Sequence, residues 1–180
     1  MKNQKTHFGM IALLLACISL FLTACGDKAS TSSSGQSGSS NADAPAKEAE
    51  TPEPSREIVV EANDQMKFDK TEIIIAPGET VKLTLNNVGT MPKFSMGHNL
   101  VILDKAADVA AFAEASAMSP ANEYISPDFQ DKVVAATALL GGGETDSVVF
   151  TAPKTRGDYP FLCSFPGHVQ AGMKGLLKVQ

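Results

Sequence analysis

Between Arg56 and Gln180, short β-type runs of apolar residues recur with turn residues between them. Glu57-Ile58-Val59-Val60-Glu61 opens the series, and Asn63-Asp64 breaks it. Glu72 to Ile75 runs into Ala76-Pro77-Gly78-Glu79, where proline followed by glycine favours a type II turn. Beyond it Val81, Leu83 and Leu85 alternate with Lys82, Thr84 and Asn86, the period of a half-buried strand. Further strands are predicted over His98 to Leu103, Lys132 to Thr137, Ser147 to Ala152 and Tyr159 to Ser164. A last one lies where Leu177 and Val179 flank Lys178. Short strands at this spacing, with no helices alternating between them, predict an all-β antiparallel sandwich. Lys105 to Met118 departs from the pattern, being rich in alanine, free of Gly and Pro, and ended by Ser119-Pro120. It predicts one short helix in a long inter-strand connection, packed outside the sandwich through Val109, Phe112 and Met118. Gly141-Gly142-Gly143 reads as a tight loop.

Upstream of Arg56 the pattern is different. Lys2 and Lys5 precede an uncharged, mostly apolar run from Phe8 to Leu22, too short to span a bilayer comfortably and the right length for the core of a signal peptide. The run ends in Leu22-Thr23-Ala24-Cys25, which resembles a bacterial lipobox. That resemblance implies removal of residues 1–24, diacylglycerol on the Cys25 sulfur and acylation of its new amino group, enough lipid to anchor stably. From Gly26 to Ser55 the chain is dominated by Ser, Gly, Ala, Pro, Glu and Asp, with too little apolar surface to offset the entropy of folding. Residues 25–55 are therefore expected to be a lipid-anchored, disordered linker, about 30 Å in root-mean-square span as a coil. Residues 56–180 form one domain, large enough for a single core.

Charge excludes more than it selects. The domain carries eleven Lys and Arg against fifteen Asp and Glu, with no basic stripe and no interleaved aromatics, so a nucleic-acid partner is not expected. The mild acidity also argues against the domain itself lying on an anionic membrane.

Cysteine and histidine positions carry the chemistry. His7 and Cys17 fall in the signal peptide and Cys25 is taken by lipid, which leaves Cys163, His98 and His168 in the domain. A lone thiol in an oxidising compartment invites wrong disulfides unless it is occupied. Cys163-Ser164-Phe165-Pro166-Gly167-His168 is followed closely by Met173, so thiolate, imidazole and thioether fall within eleven residues. Soft sulfur ligands with borderline imidazoles suit a copper ion cycling between Cu(I) and Cu(II). The competing reading, a structural cysteine beside two unrelated histidines, leaves this concentration of donors unexplained.

These residues resemble azurin, a bacterial cupredoxin, over nearly all of Arg56–Gln180. The likeness rests on Asn63-Asp64-Gln65-Met66-Lys67-Phe68, on Pro92-Lys93 leading to Met96-Gly97-His98-Asn99, and on Gly143-Glu144-Thr145-Asp146-Ser147-Val148. The Cys163–His168 segment and Met173-Lys174-Gly175 complete it. The resemblance implies a Greek-key β-sandwich (cupredoxin) holding one type 1 copper at its loop-rich end. It implies His98, Cys163 and His168 as close ligands, Met173 as a weak axial ligand and the Gly97 carbonyl as a weak contact opposite. Asn99 would tie the ligand loop to the first ligand strand, and backbone amides near Phe165 would donate to the Cys163 sulfur. Three features depart from azurins. The interval His168 to Met173 is one residue longer, as in plastocyanins, and the whole loop resembles that of auracyanins. The family's disulfide is absent. Asn87 stands where many azurins carry a titrating histidine, so no pH-linked switch is expected there.

The function implied is electron transfer, not enzymatic turnover. The expected carrier is a monomer in the bacterial cell envelope, lipid-anchored to a membrane and exchanging electrons transiently with redox proteins such as c-type cytochromes or terminal oxidases and reductases. The electron would leave through a solvent-facing edge of His168, within an apolar patch of Met91, Met96 and Phe165, with Phe94 and Ala171 beside it. Two alternatives use the same residues or fold: a periplasmic copper-binding chaperone lipoprotein, and a surface or adhesion protein. A copper enzyme would need a second metal site, for which no histidines remain.

Overall fold

The structure is a computed structural model and describes residues 52–180. The signal peptide, the lipidated Cys25 and most of the linker expected from the sequence lie outside the described residues.

Among the described residues, nine strands form two layers. One sheet contains β1 (Arg56–Asn63), β2 (Lys67–Phe68), β4 (Thr80–Asn87) and β7 (Thr145–Thr151) in the order β2-β1-β4-β7. The other contains β3 (Glu72–Ile75), β5 (Val101–Leu103), β6 (Val133–Ala136), β8 (Gly157–Leu162) and β9 (Lys174–Val179) in the order β3-β9-β8-β5-β6. Val60, Val81, Leu83 and Leu85 from the first sheet and Ile73, Ile75, Phe161 and Leu177 from the second share one buried core. The cupredoxin sandwich expected from the sequence is the observed architecture. Its pairing, however, is mixed. β1 runs parallel to β4, and β3 parallel to β9. The chain leaves the first sheet after β2, contributes β3 to the second, and returns as β4. Such a crossover brings strands together in the same direction, whereas a tight hairpin joins only antiparallel ones.

The predicted helix is α2 (Val109–Ala117), following the single-turn α1 (Lys93–Met96). Asp108 caps it, its carboxylate accepting from the amides of Ala110 and Ala111. Phe112 is fully buried against Val101, Leu103 and Leu162 on the outer face of the second sheet, with Val109 packed beside it. Both faces of β5 are thereby covered, which is why all three of its residues are buried. Met118 is a correction. It sits past the last helical turn and is 82% exposed, not an inner contact. The strand expected from His98 begins only at Val101, and His98 instead forms an isolated bridge with Leu140.

Candidate metal centre

The hairpin loop between β8 and β9 contains residues 163–173, and both of its stems are fixed by the sheet. Cys163 follows the last residue of β8, Met173 precedes the first of β9, and the amide of Cys163 donates to the Met173 carbonyl at 3.1 Å. Within the loop, Phe165 to His168 close as a turn, with His168 N–H donating to the Phe165 carbonyl at 3.1 Å. Gly167 takes φ +85° there, a conformation that follows proline in a type II turn and that side-chain-bearing residues resist. The amide of Met173 donates back to the carbonyl of His168 at 2.9 Å, so three of the expected donors share one folded loop. His98 lies on the segment that leads into β5. It exchanges two backbone hydrogen bonds with Leu140, at 2.9 and 2.8 Å.

The donors converge. Cys163 Sγ lies 3.3 Å from His168 Nδ1 and 3.8 Å from His98 Nδ1, and all three donor atoms lie within 4.8 Å of one another. A first-row metal bound at about 2.0 Å by nitrogen and about 2.3 Å by sulfur separates such donors by about 3.5–3.7 Å at trigonal to tetrahedral angles. The cluster is therefore dimensioned for one ion. Cys163, His98 and Met173 are fully buried and His168 is 2% exposed. The Gly97 carbonyl lies 3.8 Å from the sulfur. A Cβ on Gly97 would come within 2.5 Å of the Lys93 carbonyl and 3.0 Å of Leu139, so the chain can pass this close only with glycine there.

Burial sets the electrostatics of the metal-free site. It pushes the Cys163 thiol up to about 12, against a smaller pull downward from the backbone amides of Asn99 and Phe165. Burial also lowers His168 to about 4, assisted by the neighbouring His98. His98 is lowered chiefly by burial, with the Asn63 carbonyl and the Asp64 carboxylate opposing. Its Nε2 is buried with no partner at hydrogen-bonding geometry. One thiol and two neutral imidazoles facing each other, with no carboxylate among them, suit a soft or borderline cation.

Asn99 joins the two halves. Its Oδ1 accepts from the Ser164 amide at 2.8 Å, and its Nδ2 donates to Ser164 Oγ at 2.8 Å and to the Glu123 carbonyl at 3.1 Å. Asn87 is buried and donates from Nδ2 to the Leu140 carbonyl at 3.2 Å, bracing the segment that backs His98. Phe165 is half-buried, with its ring centroid 4.8 Å from that of His168. Only a narrow edge of His168, 2% of the residue, meets solvent, and the Phe165 ring lies beside it. Met91 is 38% exposed, Phe94 83% exposed, Met96 half-buried and Ala171 exposed, all on segments flanking the donors. Sequence reasoning missed Glu123, whose carboxylate accepts from the Leu139 amide at 3.1 Å, and Lys67, whose ammonium donates to the Ala171 carbonyl at 3.1 Å. Neither has a spacing relative to the ligand motifs that marks it.

A two-layer sandwich with His98, Cys163, His168 and Met173 gathered at one end defines a cupredoxin with a single type 1 copper site. The family model for copper-binding proteins of the plastocyanin/azurin family matches residues 55–180, and the chain belongs to that family of electron-transfer proteins. Azurin of Alcaligenes faecalis is 36% identical over 128 residues, covering 68% of this chain and 97% of the relative. Outer membrane protein H.8 of Neisseria gonorrhoeae is 42% identical over 111 residues, covering 61% of this chain but only 60% of that protein. The dithionite-reduced auracyanin of Roseiflexus castenholzii superposes with a TM-score of 0.63 at 32% identity, over 71% of this chain and 99% of its own. The auracyanin likeness agrees with the loop spacing read from the sequence.

Proposed function

We propose that this protein is a lipid-anchored one-electron carrier of the bacterial cell envelope. Bound copper would supply the redox chemistry by alternating between Cu(II) and Cu(I). The observation that carries the reading is the buried convergence of Cys163, His98 and His168 beside Met173. Cys163 binds as thiolate and gives up its proton. His98 and His168 bind neutral and need give up none. The turn at Pro166-Gly167 and the hydrogen bonds between Asn99 and Ser164 would hold the donors still, so that little rearrangement accompanies each electron. Gly97 would offer its carbonyl as a weak contact. Phe165 packs beside His168, and the electron would pass through the narrow exposed edge of this imidazole, within an apolar face bearing Met91, Phe94, Met96 and Phe165. Apolar faces of this kind suit the small interfaces of transient redox encounters with proteins such as c-type cytochromes. Burial of all four donor side chains speaks against a copper chaperone, which needs ligands open to exchange. The anchor at Cys25 is supported by the lipobox-like sequence and by the likeness to a protein named for the outer membrane.

The test uses protein extracted from native membranes. It is expected to carry diacylglycerol mass on Cys25 and, once loaded with copper, to show an intense visible thiolate-to-copper band that Cys163→Ser abolishes. A colourless copper-loaded protein overturns the carrier reading, and an unmodified Cys25 overturns the anchor.

A further inference from the structure

The connection after α2 contains the only two consecutive left-handed non-glycine residues among the described residues, Glu123 at φ 53° and Tyr124 at φ 58°. Side chains with a Cβ avoid this region, and such a conformation persists only where its surroundings impose it. Those surroundings are the metal centre. The Glu123 carbonyl accepts from Asn99 Nδ2 at 3.1 Å, and the same side chain holds Ser164, next to Cys163. The Glu123 carboxylate accepts from the Leu139 amide at 3.1 Å, one residue from the Leu140 that brackets His98. The Tyr124 ring packs edge-on against Phe165 at 4.9 Å, and Phe165 lies against His168. The pair is tied to α2 in turn, since the Tyr124 amide donates to Ser119 and the Ser126 amide to the buried Ser116 hydroxyl, at 3.0 and 3.1 Å.

We propose that Glu123 and Tyr124 act as a positioning clamp that sets the spacing between the His98 half and the Cys163–His168 half of the donor set in the metal-free protein. Two adjacent residues touch the segment around Asn99, the Leu139–Leu140 segment behind His98, and the loop that carries Cys163 and His168. In its left-handed conformation Glu123 directs its carbonyl to Asn99 and its carboxylate to the Leu139 amide together. The clamp's consequence for redox tuning rests on the copper reading above, but the clamp itself needs no metal.

The test is amide hydrogen exchange of the full metal-free chain, read at Leu139 and Ser164, with Leu83 in β4 reporting global opening. Glu123→Ala is expected to speed exchange tenfold or more at Leu139 and severalfold at Ser164, with Leu83 unchanged. Glu123→Gln keeps an acceptor for the Leu139 amide and is expected to restore both sites to within about threefold of the parent. Should the alanine variant fold poorly, Glu123→Gly relieves the backbone without supplying an acceptor, and its Leu139 amide is expected to exchange as fast. Unchanged protection at Leu139, a change at Leu139 that leaves Ser164 untouched, or an equal rise at Leu83 would each overturn the clamp. In copper-loaded protein, Glu123→Ala is expected to shift the reduction potential and Glu123→Gln to leave it in place. Protein that binds no copper would defeat the electron-carrier reading and leave the exchange result standing.

Discussion

The metal-free donors occupy the protonation states that a buried site favours. With the Cys163 thiol raised to about 12, forming its thiolate at pH 7 costs roughly 7 kcal/mol, which metal binding must supply. His168, lowered to about 4, and His98, also lowered, are already neutral at that pH. Copper uptake between about pH 7 and 9 should therefore release one proton, and apparent affinity should rise about tenfold per pH unit. Chelator competition across that range measures the slope, and a slope near two would mean that an imidazole also deprotonates. At this scale the sequence was legible where residue type is the chemistry. Cys163, His98, His168 and Met173 stand out because few residues can bind copper and these fall in compact motifs. Glu123 did not stand out, because an acidic residue in a turn reads as a solvated charge until its partners are known. His168 read as solvent-facing, but loop position says nothing of how narrow the exposed edge becomes once Phe165 packs beside it.

Among the elements, α2 shows how far composition reaches. An alanine-rich stretch bounded by Ser119-Pro120 identified a helix, and the buried Phe112 gave its inner side. Its start is set by Asp108, whose carboxylate holds two free amides of the first turn at 2.9 and 3.1 Å. Asp108→Ala should lower stability by about 1 kcal/mol, read from urea unfolding. No change would mean that Val109 and Phe112 alone hold the first turn. Met118 was misjudged because helical periodicity carries a residue inward only while the helix continues, and this one ends at Ala117. The strands were legible from alternation at β4 and β9 and from a short apolar run before a Pro-Gly turn at β3. Their directions were not, because a period of two is the same in parallel and antiparallel neighbours. β2 escaped notice because two residues display no period.

For the whole molecule, the same buried groups that await a metal tax the metal-free fold at both ends of the pH scale. His168 is lowered from its unfolded value near 6.5, so below about pH 6.5 the unfolded chain binds a proton that the folded chain refuses, and stability falls toward pH 4. Cys163 is raised from about 9, so above about pH 9 the unfolded chain releases a proton that the folded chain retains, and stability falls again. The metal-free protein should unfold at its highest temperature between these limits in a calorimetric pH series, and a flat profile would mean that these side chains are hydrated in the fold. Sequence alone determined the two-layer β class, the donor identities and the spacing within the Cys163–Met173 loop, since all of these follow from local period, side-chain chemistry and short separations. Tertiary structure alone decided which strands lie parallel, that His98 meets a loop 65 residues away at 3.8 Å from Cys163 Sγ, and that the Leu139 amide meets the Glu123 carboxylate. Those contacts depend on how two sheets pack across a shared core, and no local pattern encodes the distance between residues so far apart in the chain.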